Sequence, residues 1–193
     1  MNIYYIYDNI LNFKIMSKTN NFVFKALEIV TWVIFVGLCI EAGALIVNFI
    51  FSLYNPEFVH RLYEKLDLSE MYNHSKWAFF SMYTIILAIS ILKAYLFYVV
   101  VRLIGKFNIS KPFNNFVSEQ ITKISYYTFE IGILGYIAKE ISKNLLNRGY
   151  VISALNKYWE DSQAFILMAA VIYVIAIIFK KGVEIQNEND LTV

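Results

Sequence analysis

Apolar residues in this chain come in long blocks rather than in single stripes. Four stretches of about 20 residues or more could each cross a hydrocarbon core of roughly 30 Å as a helix. They are residues 27–52 ("LEIVTWVIFVGLCIEAGALIVNFIFS"), 78–103 ("AFFSMYTIILAISILKAYLFYVVVRL"), 121–146 ("ITKISYYTFEIGILGYIAKEISKNLL") and 163–180 ("QAFILMAAVIYVIAIIFK"). The third is the weakest, because Glu130, Lys139 and Glu140 interrupt it. A soluble helical bundle would show a polar stripe down each helix, and the fourth stretch shows none. The pattern therefore predicts an all-α fold, a four-helix transmembrane bundle over residues 21–182.

The segments between the spans refine this picture. In residues 1–20, Ile3, Ile6, Ile10 and Phe13 recur at helical spacing, which suits a short interfacial helix. The other reading is that translation starts at Met16 and the first fifteen residues are not translated. The segment lacks the basic start, apolar core and small-residue cleavage site of a signal peptide. In the first outer loop, "NPEFVHRLYEKLDLSEMY", Asn55 suits a cap, Pro56 the first helical position, and Glu57 the positive helix end. Phe58, Leu62 and Leu66 recur every four residues opposite Arg61, Glu64 and Lys65. An amphipathic helix is expected there, lying on the membrane surface or packed on the bundle. Trp77 and Trp159 flank the second and fourth spans and suit the headgroup interface. Gly37, Gly43, Gly132 and Gly135 lie within spans, where small residues let helices approach closely. The inner loop "GKFNISKPFNNFVSEQ" reads as a short connector, and residues 183–193 as an acidic cytoplasmic tail.

Composition agrees: hydrophobic residues make up 59% of the 193 residues and mean hydropathy is +0.52, above the globular range. Charge supplies an orientation. Lys14, Lys18, Lys25, Arg102, Lys106, Lys111, Lys123, Lys180 and Lys181 fall on one side; Arg61, Lys65, Lys76, Lys143, Arg148 and Lys157 fall on the other. Cytoplasmic loops hold the excess, so both termini are expected in the cytoplasm. The basic residues are split between membrane faces, so the net charge of +2 points to no direct nucleic-acid binding. Cys39 is the single cysteine and lies within the first span, so no internal disulfide is possible.

Charges inside the spans are the candidate functional features. Lys93 interrupts an otherwise apolar run. Counting 1.5 Å per residue, with side chains leaning toward the N-terminus of their own helices, Glu41 on the first span and Lys93 on the second converge near the membrane middle. Glu130 of the third span lies at a similar depth, with Tyr126 one turn before it. Lys139 and Glu140 sit near the outer end and are expected to snorkel to the interface. Glu41, Lys93 and Glu130 thus form an expected intramembrane charge cluster. It either fixes how three helices pack or lines an ion or proton pathway, or a ligand-sensing site.

Other chemistry finds no support in the sequence. The histidines, His60 and His74, both lie in the first outer loop rather than inside spans, as bilayer haem would require. Together with Glu57, Glu64, Asp67 and Glu70 they match no zinc spacing. There is no nucleophile elbow, HExxH or dinucleotide fingerprint. The expectation is a non-enzymatic membrane protein with a regulatory, sensory or protective role, no cofactor and no metal.

Several stretches together, "GLCIEAGALIVNFIFSLYNPE", "LKAYLFYVVVRLI", "KPFNNFVSEQITKISY" and above all the ending "IFKKGVEIQNENDLTV", resemble the bacterial domain-of-unknown-function family twenty-nine seventy-five. The resemblance runs from about Met16 to Val193, and the N-terminal extension departs from it. It implies a small four-helix protein of the bacterial inner membrane, and a small helix-turn-helix regulator encoded nearby as cytoplasmic partner. It carries over no catalytic or binding residue. The rival expectation is a small transporter or channel subunit, working as a homo-oligomer through the charge cluster.

Overall fold

A computed structural model describes residues 3–54, 68–109 and 111–190 of the chain, with side chains described from Phe22 onward. The described residues are helical and include no strand. Helix α1 runs from Ile3 to Tyr54, α2 from Ser69 to His74, α3 from Lys76 to Gly105, α4 from Asn115 to Asn147 and α5 from Ser162 to Asp190; a 3-10 helix, Ser153–Tyr158, precedes α5. Among the described residues, three segments are long and apolar enough to cross a membrane: Phe22–Tyr54, Lys76–Gly105 and Leu155–Asn189. Helix α4 has the length but not the apolarity, since Lys123, Glu130, Lys139, Glu140 and Lys143 all fall along it. Much of the large apolar surface of α1 and α5 faces outward, Val33 and Leu167 among it. A monomer in water rarely shows so much.

Local chemistry places the helix ends. Ser75 caps α3 by accepting from the Ala78 amide at 3.3 Å, and Asn114 caps α4 by accepting from Val117 at 3.0 Å. Helix α4 stops in a Schellman turn: the Tyr150 amide donates to Leu145 and the Gly149 amide to Leu146, with Gly149 at φ 85°. Most of the outer-loop helix expected within residues 55–72 lies outside the described residues, since 55–67 do, His60 among them. The described end of that loop packs on the bundle, with Leu68 and Met71 buried. At the other end of the chain, α1 begins at Ile3 without a break, so the residues expected to form a separate interfacial helix continue into the first span.

The helices pack mainly as α1 on α3, α3 on α4 and α4 on α5. Aromatic pairs mark the antiparallel seam of α1 and α3 along its length: Phe24 with Phe107 (5.1 Å), Phe35 with Tyr98 (6.0 Å) and Phe49 with Tyr83 (5.3 Å). The Tyr83 hydroxyl also donates across it to the Leu45 carbonyl at 3.1 Å. On the other seam, the Ser125 hydroxyl donates to Ala169 at 3.0 Å. Two of the four span glycines serve the close approach expected of them. A Cβ on Gly132 would meet the Ile166 side chain at 2.7 Å and its amide nitrogen at 2.9 Å, and one on Gly135 would meet the Ser162 Cβ at 2.9 Å. Gly37 and Gly43 on α1 face open space instead, because α1 has its main neighbour, α3, on another side.

The main core lies at the end of the bundle where α1 and α4 finish and α3 begins. Leu45, Phe79, Met82, Tyr83 and Ile86 meet Ile152, Leu155, Tyr158 and Trp159 there. These last four come from the connector, which folds back along α4, so α5 starts level with Gly135 and Asn147 lies about 18 Å further along. Irregular backbone is tolerated at such a place when protein encloses it. The fold-back also corrects the reading of the tryptophans. Trp77 is 87% exposed, as an interface anchor would be, but Trp159 is only 3% exposed and belongs to the core.

At the opposite end the inner loop rests on the end of α5. The Phe113 ring lies against Gly182, where a Cβ would meet it at 2.5 Å, and it packs on Phe179 at 5.3 Å. Arg102 and Lys106 both lie over the Phe116 ring, at 5.8 and 5.2 Å. Helix α5 continues through the acidic segment to Asp190, with Lys181 paired to Glu184 at 2.9 Å.

Candidate functional site

The three span charges occupy different surroundings. Lys93 is half-buried where α3 meets α4 and α5; Glu41 is half-buried on α1; Glu130 is exposed on α4. None of the three is ion-paired with another. Tyr126, expected beside Glu130, faces Tyr173 of α5 at 6.3 Å, and the neighbouring Tyr127 packs edge-on to Tyr95 at 4.9 Å. Glu140 pairs with Lys143 at 2.6 Å at the exposed end of α4, while Lys139 lines a groove of about 510 Å³ with Ser142, Ile152 and Asn156. His74 lies against Tyr150 at 4.4 Å.

Lys93 stands at a small, partly polar site between α3, α4 and α5. The ammonium sits 5.8 Å from the centre of the Phe165 ring of α5, within range of the attraction between a cation and an aromatic face. The same two side chains line a small cavity with Ile131 and Gly135 of α4, Lys157, Tyr158, Trp159 and Asp161 of the connector, and Ser162 at the start of α5. Its volume is about 10 Å³, close to what one water molecule needs. The Ser162 hydroxyl is buried there without a hydrogen-bond partner. A buried hydroxyl left unpaired is costly.

No known protein family, curated protein or solved structure matches this chain.

Gly135 makes the site possible, since any side chain there would push the start of α5 away from α4. That close approach sets Asp161 and Ser162 in front of Lys93. Reasoning from depth alone missed Asp161. One signal was nonetheless present: an Asp immediately before a long apolar run is a helix-start signature, and the Phe165 amide does donate to the Asp161 carbonyl at 3.1 Å. Asp161, itself exposed, is the carboxylate among the residues that line the Lys93 cavity.

A double-mutant cycle checks this assignment. Lys93→Met and Asp161→Asn are expected to couple by about 1 kcal/mol in thermal stability in detergent, the size found for polar pairs between membrane helices. Lys93→Met and Glu41→Gln should show none. Additive effects in the first pair would remove Asp161 as the counter-charge.

Proposed function

We propose that the chain is a non-enzymatic, four-span protein of a bacterial cytoplasmic membrane, with both termini in the cytoplasm and a regulatory or sensory role. In this reading α4 is the third span, covered in the bilayer by α3 and α5 despite its charges. The resemblance in "IFKKGVEIQNENDLTV" and the excess of basic residues around the 102–123 loop support the membrane and the orientation.

The observation that carries the regulatory role is the unbroken course of α5. One helix joins Phe165, beneath the Lys93 ammonium, to the acidic segment ending at Asp190. A change in charge or occupancy at Lys93 would shift the start of this helix, and a stiff helix transmits the shift to its other end. There the basic inner loop is already seated on Gly182 through Phe113, so loop and tail form one surface for a cytoplasmic partner. The partner proposed is the small helix-turn-helix regulator implied by the resemblance.

The test is co-purification of that regulator with the full-length membrane protein. The intact chain should retain it, deletion of residues 182–193 should release it, and Lys93→Met should weaken retention severalfold. Retention that survives the deletion would count against the tail as the docking element. The unpaired Ser162 hydroxyl beside Lys93 and Asp161 favours one second reading, a proton relay in a transporter or channel subunit. Proton flux in proteoliposomes that disappears with Lys93→Met would establish that reading instead.

A further inference from the structure

A groove runs along the outward face of the α4–α5 pair, and its two ends differ in chemistry. The upper part, about 300 Å³, is lined by Ser125, Tyr126, Phe129, Ile166, Ala170 and Tyr173 and is almost wholly apolar. The lower part, about 370 Å³, shares Tyr126 and Tyr173 and continues to Thr122, Lys180, Lys181 and Glu184. The cause is in the sequence. Ala169, Ala170 and Ala176 put short side chains on α5 opposite the large Tyr126 and Phe129 of α4, so a furrow is left between the helices. Tyr126 and Tyr173, their ring centroids 6.3 Å apart across the two helices, stand where the two parts meet, and two cations lie at the lower end.

We infer that this groove is a binding site for an anionic phospholipid, with the headgroup phosphate at Lys180 and Lys181 and an acyl chain along the apolar part. Length supports the assignment. From Ile166 to Lys180 the helix rises about 21 Å, which matches one leaflet with its headgroup layer, half of a bilayer about 40–45 Å thick. Charge supports it too. Both lysines are exposed, and Glu184, which pairs with Lys181, neutralises only one of them. The Thr122 hydroxyl is already committed, donating to the Ser118 carbonyl at 2.9 Å, so the cations rather than this hydroxyl select the headgroup. The inference rests on the membrane-spanning reading proposed above.

The experiment is native mass spectrometry of the detergent-solubilised protein titrated with phosphatidylglycerol or phosphatidylcholine of equal chain length. Each lysine near an anionic lipid surface contributes about fivefold in affinity, so phosphatidylglycerol should bind at least about fivefold more tightly. The Lys180→Gln/Lys181→Gln double variant should lose that preference, and Glu184→Gln should raise it. Ala170→Phe, which fills the apolar part from an exposed position, should weaken both lipids while leaving their ratio unchanged. Equal binding of the two lipids, or a preference that persists without the lysines, would overturn the assignment. Inorganic phosphate competing as well as the lipid would show a free-anion site and overturn it equally. Carbonate extraction of the expressing membranes keeps the two readings separate. Protein released by carbonate would refute the spanning reading; protein retained, with no lipid preference, would refute the lipid site alone.

Discussion

Replacing Gly132 with valine is expected to destabilise the protein in detergent by about 3 kcal/mol, at the upper end of the usual overpacking range. The first added carbon would already stand 2.7 Å from the Ile166 side chain and 2.9 Å from its amide nitrogen. A side chain can rotate away but a backbone nitrogen cannot, so α4 and α5 must separate. Separation would also stretch the Ser125–Ala169 hydrogen bond and withdraw Phe165 from Lys93. Gly37→Ala and Gly43→Ala are the controls. Their added methyls meet nothing within 4 Å, and alanine is the better helix former by up to about 1 kcal/mol. Thermal or SDS denaturation of the three variants would check the contrast. If Gly132→Val melts with the wild type, the α4–α5 contact is not as close as described.

The second large effect is expected at Phe79. Its ring is fully buried and touches Tyr72 (5.2 Å), Phe80 (5.1 Å) and Tyr83 (5.6 Å). Truncation to alanine should cost about 3–5 kcal/mol, from lost contacts and the cavity left behind. Trp77, two positions earlier, is the natural comparison: it is larger but projects outward, and its alanine variant should stay within about 0.5 kcal/mol of the wild type. The same denaturation curves read both. Equal losses at the two positions would mean that Trp77 is packed against something the isolated chain does not contain.

Long apolar runs proved the most legible part of the sequence. Each of the four stretches falls inside a long helix, because a helix satisfies its own backbone whatever surrounds it. The lone lysine at position 93 was legible for a similar reason, as a charge among apolar neighbours. Its surroundings were not. Depth can be counted along a helix, but contact also depends on rotation about the axis, and nothing in residues 41 or 130 reveals that angle. The Asp161 contribution was hidden further, since it depends on the connector turning back into the bundle. Trp159 shows the same limit: an interface preference is a statistical tendency, and the fold-back that buries this ring overrides it. For the glycines, sequence gave the capacity for close approach, while only Gly132 and Gly135 have a helix to approach.

In the four-span reading proposed above, the placement of α4 has a consequence for how the protein is made. Synthesis delivers α1 first, and its Phe22–Tyr54 part is apolar enough to cross a membrane by itself, so it can wait in lipid until α3 arrives. Helix α4 cannot wait in the same way, since its charges make it the poorest candidate to enter a bilayer alone. Its most extensive partner, α5, emerges after it. On that reading, insertion as a hairpin, with α4 held back until α5 has left the ribosome, would resolve the difficulty, and the close approach at Gly132 and Gly135 would be the zipper that closes the pair.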